Sequence, residues 1–436
     1  MKFLASAATA AVFVGACVSQ VSALAPLEPD TGIYFGTWYD RLGGDTPTAI
    51  NSRLNYKPLT LFQSDLNISS TLQDPTQIFQ QMQTVPGAVL LLTLFMYDSL
   101  DGVSDAALSD LGNKLAQYNS QGGKVILRYA SEMNGNWFKY GQRPSFYKQQ
   151  YIRAYNIVHP LAPQVAWVWS PNAANGYPFG NSTQTPLKGT QDFTDMDTNN
   201  DGQLTDDDDP YTPFYPGDQY VDWVGISLYH YGYKWPWVTN DIPVPGKFEG
   251  ILSGGASGKA PGDSAPYAKF NFYEMFSGSG AGAVPKPATA GGKPLMISET
   301  AATYHVYLNN SGDLTQKLPL APGVGSVADI KRGWWNQILN DTIKAKYPKL
   351  KSVCFFDFKK WEETTYRDFT SFSTDYGVVA ALNQDVQNVK LIRWADGSST
   401  NNNTNPNNKS AASTLGRLVP FGTVLVAAAL GALSLY

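Results

Sequence analysis

Eight short apolar runs, spaced by amphipathic or loop-rich stretches, recur along residues 32–356 and restrict this chain more than any other feature. They are Gly32–Trp38, Leu59–Leu66, Ala88–Tyr97, Lys124–Ala130, Val165–Ser170, Val221–Tyr229, Pro294–Ser298 and Lys351–Phe356. Runs of this length bounded by turn residues read as buried strands. Between them, apolar residues at helical spacing predict helices over Ala49–Leu54, Pro75–Thr84, Asp105–Tyr118, Ser145–Val158 and Val327–Ala345. A sixth helix falls around Ala265–Phe276, and Asp375–Trp394 is mixed in character. Strands alternating with helices demand a parallel sheet, and eight such units close into a (β/α)8 TIM barrel. No glycine-rich phosphate turn follows the first run, which argues against an open doubly wound sheet. The expectation is one catalytic barrel over residues 24–396, with Gly/Ser/Ala-rich loops at Leu252–Ser264 and Ser277–Gly292.

Composition removes several function classes. The formal net charge is −4 and no Lys/Arg run occurs, so the chain lacks the footprint of a nucleic-acid binder. Three His and two Cys are too few for a His- or Cys-rich metal enzyme. Both ends read as targeting segments. Residues 1–23 have Lys2, an apolar run from Phe3 to Val18 and the small-x-small exit Val21-Ser22-Ala23, the pattern of a secretory signal. Cys17 leaves with that signal, and Cys354, inside Val353-Cys354-Phe355-Phe356, reads as a core thiol. At the other end an Asn/Ser/Thr-rich linker (397–409) leads to small residues at 410–413, a polar spacer, and an uncharged tail from Leu418 to Tyr436. That order predicts a glycolipid-anchor signal over 410–436, hence a secreted, surface-anchored, monomeric protein with no nucleic-acid partner. Sequons at Asn67, Asn181, Asn309, Asn340, Asn402 and Asn408 fit such a route.

In a (β/α)8 barrel the chemistry sits where the strands end. The fourth run ends Arg128-Tyr129-Ala130-Ser131-Glu132-Met133-Asn134-Gly135-Asn136-Trp137, and the seventh ends Ser298-Glu299-Thr300. The fifth ends in Trp169-Ser170, the sixth in Tyr229-His230-Tyr231, and the eighth leads to Trp361. Closure therefore gathers two carboxylates and many aromatic rings on one face. Glycoside hydrolysis needs such a carboxyl pair, one protonated to serve the leaving oxygen and one ionised to attack. Aromatic rings suit the C–H faces of pyranoses, so the expected partner is a polysaccharide.

The stretch Arg128–Trp137 resembles the acid/base motif of glycoside hydrolase family 26, best known for β-mannanases. Trp167–Asn172, Tyr215–Gly225 and Lys293–Glu299 resemble further blocks of that family in the same order. The resemblance implies a retaining enzyme with Glu132 as acid/base and Glu299 as nucleophile. It also implies Arg128, Trp137, Trp169, Tyr229 and Trp361 as sugar-site residues, with Trp137 lining the cleft, Tyr229 bonding the nucleophile and Trp361 a platform under the sugar. The chain departs from the family at Ser131, where the mannanases have histidine. Contacts at the cleavage point must then differ, which leaves β-glucan and xylan open beside mannan. A non-catalytic sugar-binding protein on the same barrel is the reading from another class.

A second motif is independent of the first. Asp197, Asn199, Asp201, Gln203 and Asp208 fall at positions 1, 3, 5, 7 and 12 of a twelve-residue loop, with Gly202 at the sharp turn in position 6. This is the ligand spacing of a calcium loop and resembles a lone EF-hand or dockerin loop, with Asp in place of the usual Glu at position 12. Residues 192–209 contain no Lys or Arg, so the expected cofactor is a structural calcium ion, held in the insertion after the fifth strand.

Overall fold

The computed structural model describes residues 24–55, 57–180, 182–234, 237–254, 267, 269–278, 292–309, 318–319, 325–373 and 376–396. The signal, linker and anchor segments, and Asn181, Asn402 and Asn408, lie outside them. Among the described residues no helix is long and apolar enough to cross a membrane.

Seven strands come first: β1 (Ile33–Trp38), β2 (Leu61–Asn67), β3 (Val89–Phe95), β4 (Val125–Tyr129), β5 (Ala166–Trp169), β6 (Trp223–His230) and β7 (Leu295–Ala302). Two short strands follow, β8 (Tyr304–Leu308) and β9 (Leu318–Pro319), and then β10 (Leu350–Phe355). β1 to β7 pair in sequence order, β10 pairs with both β7 and β1, and every one of these pairings is parallel. The eight apolar runs thus form a closed parallel barrel. Helices α1 (Pro47–Arg53), α2 (Thr76–Gln83), α3 (Asp105–Ser120) and α4 (Pro144–Val158) make the first crossovers. α5 (Gln191–Met196), α6 (Lys247–Ser253), α7 (Phe272–Phe276), α8 (Val327–Ile338), α9 (Ile343–Lys346) and α10 (Tyr376–Val386) complete the helices.

Local chemistry sets the helix limits. Ser104 accepts the Ala107 N–H to start α3, and Ser326 with Asp329 forms a reciprocal capping box at α8. The helix expected over 327–345 breaks in two. Asn340 turns its amide nitrogen back onto the carbonyls of Asn336 and Gln337 and its oxygen onto the N–H groups of Thr342 and Ile343. A side chain competing for the backbone in this way ends one helix and starts the next. The mixed region at 375–394 becomes α10 and a two-residue strand, β13 (Ile392–Arg393), laid against β1.

Strand alternation grades the barrel interior from apolar to polar. A floor of Leu61, Val89, Leu91, Ile126, Val168, Trp223, Met296 and Cys354 is fully buried. One layer toward the strand C-termini, Gln63 bonds Thr93 (2.9 Å) and the Cys354 thiol, and Ser170 bonds Ser298 (2.7 Å). The next inward positions are Asp65, Arg128, Ser227 and Tyr229. Polar groups thus become more frequent toward the C-terminal mouth.

A rim sheet absent from the sequence reading builds one wall of that mouth. β11 (Lys359–Glu362) and β12 (Thr365–Asp368) form an antiparallel hairpin that continues onto β8 and β9. Its strands are short and half polar, so they carry little of the apolar signal that marked the barrel.

Candidate active site

Arg128 organises the mouth. On β4 it is fully buried, and its Nε, Nη1 and Nη2 donate to Ser170 Oγ (3.1 Å), Glu299 Oε2 (2.8 Å) and Ser227 Oγ (2.6 Å). Nη2 also stands 4.0 Å from Glu132 Oε1. One guanidinium thus reaches both carboxylates, which are 14% and 18% exposed. A buried cation needs such pairing, and its planar fork fixes the direction of each partner.

Backbone irregularity aims both glutamates inward. β7 carries an extra residue relative to each neighbour: Ile226 faces Ile297 but Ser227 faces Glu299, and Val353 faces Ile297 but Phe355 faces Thr300. This bulge turns Ser298 and Glu299 toward the barrel in succession, where strict alternation would send Glu299 outward. After β4, Ala130 (φ +48°) and Glu132 (φ +58°) adopt the left-handed region. Such non-glycine residues are costly, and they cluster at functional sites. The turn is pinned by Glu132 N–H to the Ser170 carbonyl (2.8 Å) and by the Tyr140 hydroxyl to the Ser131 carbonyl (2.9 Å). Asn134, fully buried, exchanges two hydrogen bonds with the Asn172 backbone, both 2.8 Å.

The two carboxyls have different surroundings. Burial raises Glu132 above the ordinary carboxyl range, and the nearby charge of Glu299 adds to the shift. Arg128 and hydrogen bonds from Ser227 and Asn172 oppose it. Trp137 Nε1 donates to Glu132 Oε2 at 3.0 Å. Glu299 receives Arg128 on one oxygen and the Tyr229 hydroxyl on the other. Tyr229, itself pushed upward by burial, keeps its proton and donates it.

Around them lies a cleft of about 1590 Å³. Trp137 and Tyr229 line it. Three other expectations need correction. Arg128 is sealed beneath the carboxylates and acts on them, not on a sugar. Trp169 is fully buried among Tyr215, Phe272 and Phe276, because β5 turns it outward into the helix layer, away from the barrel axis. Trp361 packs on Tyr366, while its strand neighbours Lys360 and Glu362 are the ones that line the cleft. Other aromatic side chains of the cleft wall include Trp38, Phe356, Phe358, Tyr231 and Trp237. Period-2 alternation from Cys354 would have found Phe356 and Phe358.

The loop 197–208 bends sharply at Gly202 (φ +79°). Asp197 accepts the N–H groups of Asp201 and Gly202 (3.0 and 2.8 Å), and Asp208 accepts those of Thr198 and Thr205 (2.8 Å each). Cations absent from the local sequence arrive from elsewhere: Lys269 pairs with Asp206 and Asp207, and Lys188 bonds the Gly202 carbonyl. Asp206 and Asp207 are thereby charge-paired. Among the described residues no three His, Cys, Asp or Glu side chains converge as metal ligands. The sequons also meet the fold. Asn309 is 5% exposed, and Asn340 is half-buried with its amide nitrogen on the carbonyls of Asn336 and Gln337. Asn67 lines the cleft.

A parallel (β/α)8 barrel with two carboxyls on one arginine at its C-terminal mouth belongs to the architectures that host acid/base and nucleophile pairs. Residues 95–182 match the family model "Glycosyl hydrolase family 26". A mannan endo-1,4-beta-mannosidase of Bacillus subtilis (strain 168) is 29% identical over 136 residues, which cover 29% of this chain and 28% of that protein. A second Bacillus subtilis mannan endo-1,4-beta-mannosidase aligns equally, over 29% of its own length. Among solved structures, a modular endo-beta-1,4-mannanase from Cellulomonas fimi shares 14% identity at a TM-score of 0.49, covering 85% of this chain and 73% of that one. Bacillus subtilis mannanase man26 shares 16% identity at a TM-score of 0.39, covering 76% and 82%. The matched family segment contains Glu132 but not Glu299.

Proposed function

We propose that this chain is a secreted, surface-anchored glycoside hydrolase that cleaves a β-linked polysaccharide with retention, β-1,4-mannan first and β-glucan second. The observation that carries the reading is Arg128 reaching Glu299 at 2.8 Å and Glu132 at 4.0 Å. Glu132, raised by burial, holds a proton for the leaving glycosidic oxygen. Glu299, oriented by Arg128 and Tyr229, attacks the anomeric carbon and forms a glycosyl ester as the bond to the aglycone breaks. Glu132, now a carboxylate, takes a proton from water as that water displaces Glu299 and restores the starting state. The local alignment with two mannanases supports the order of substrates, and Ser131 is why glucan stays second. Sugar release from mannan, lichenan, xylan and β-1,3-glucan tests it. Mannan turnover is the expected result. Release from a glucan alone reverses the order, and no release from any polymer rejects hydrolysis.

A structural calcium ion in the loop 197–208 is the second part of the proposal, supported by the spacing of its oxygen-bearing residues and by Gly202 at the turn. An ion bound only by the native state raises stability by about 2.7 kcal/mol at a hundredfold excess over Kd. The melting temperature should fall when chelator replaces millimolar calcium, and Asp197→Ala should remove that difference. A chelator-insensitive melting curve assigns the loop to its own N–H bonds and to Lys269.

A further inference from the structure

Asp65 occupies the inward position of β2 one layer above Gln63, and it lines the cleft. Its Oδ2 accepts the Trp38 indole N–H at 2.6 Å. Asp65 itself is half-buried at the cleft wall, and its Oδ1 has no hydrogen-bond partner among the described residues. An unpaired buried carboxyl oxygen weakens a fold, so its presence at a cleft wall points to use by a ligand. The charged chemistry around it agrees. Burial, reinforced by the charge of Glu299, pushes the Asp65 carboxyl up to about 7, against the Trp38 N–H and Arg128. Trp38 is held in turn by Phe356 and Phe358, with ring centroids 5.4 and 5.2 Å away.

We infer that Asp65, steadied by Trp38, receives a hydroxyl of the sugar bound over Glu299 and so selects substrates by that hydroxyl. The inference rests on the glycosidase reading above. Its geometry assigns a direction: β2 lies across the mouth from β6, where Tyr229 stands, so the hydroxyl received is on the β1–β3 side of the ring. A hydroxyl docked on a carboxyl is the kind of contact that discriminates strongly, because the analogue lacking it leaves the acceptor unpaired.

The test is a cycle between enzyme and substrate. Wild type, Asp65→Asn and Asp65→Ala are assayed on an aryl β-glycoside and on its single-deoxy analogues. For the parent, Asp65→Ala should lower kcat/KM by about 10²-fold or more, the scale of a lost hydrogen bond to a charged group in a closed site. For one deoxy analogue, wild type and variant should react at nearly equal rates, since neither can make the bond. Asp65→Asn keeps an acceptor for Trp38 and so serves if the alanine variant does not fold. Wild-type rates in both variants, or an equal loss on the parent and on every deoxy analogue, would overturn the inference and leave Asp65 a structural residue. Wild-type failure on every β-glycoside would overturn the glycosidase reading and this inference with it.

Discussion

Glu299→Ala should reduce hydrolysis of every β-glycoside, activated or not, by about 10⁴-fold or more, the scale seen when a nucleophile is deleted from an otherwise intact site. The substitution removes the group proposed to bond the anomeric carbon, so on that reading no leaving group can compensate. Arg128 would then lose its strongest partner at 2.8 Å while still holding Ser170 and Ser227, which keeps the guanidinium in place. The fold should survive, because Glu299 is 18% exposed and its loss opens space toward the cleft and not inside the core. Azide supplies a sharper reading. In the cavity left by the carboxylate it should attack an activated β-glycoside from the opposite face and yield an α-glycosyl azide. Residual activity within tenfold of wild type, or a β-azide product, would reject Glu299 as the nucleophile. The matched family segment stops at residue 182, so this experiment tests a role that rests on the resemblance at Lys293–Glu299 and on the geometry around Arg128.

The barrel was legible because burial on both faces writes parallel strands as continuous apolar runs, and all eight carried that signal. Glu132 was legible as part of a dense local motif. Glu299 was placed correctly at the seventh strand, but its inward direction depends on the bulge at Ser298–Glu299, which no periodicity announces. Trp169 and Trp361 failed for a related reason. A tryptophan at a strand end signals bulk and not direction, and a one-residue change of register moves it from cleft to core. Asp65 was missed although its signal was present: Gln63, Asp65 and Asn67 are polar at every second position of a strand whose other residues, Ser64 apart, are apolar. Inward polar residues near the end of a barrel strand mark the mouth. The rim hairpin was hidden because half-exposed strands with charged residues resemble a loop.

Glu132→Gln should separate the two halves of the reaction. On a polysaccharide or an alkyl glycoside, whose leaving oxygen needs a proton, the loss should be about 10²- to 10⁴-fold, the usual contribution of general acid catalysis. On an aryl glycoside with a strongly acidic phenol, the first step should run near the wild-type rate. Glutamine cannot deprotonate water, so a glycosyl ester on Glu299 should accumulate and appear as a burst of phenol. Azide, which needs no base, should relieve the block and give a β-glycosyl azide, the stereochemical opposite of the Glu299→Ala product. The pH profile follows from the same assignment. Glu132 acts first in its protonated form, and burial with the neighbouring Glu299 charge lifts its titration above the ordinary carboxyl range. Wild-type kcat/KM on poor leaving groups should therefore persist above that range and then fall as pH rises through the elevated titration. In Glu132→Gln this alkaline limb should vanish, because the group that loses its proton is gone. An alkaline limb unchanged in the variant would move the acid role to another residue, and Asp65, pushed up to about 7 on the neighbouring wall, would be the first to examine.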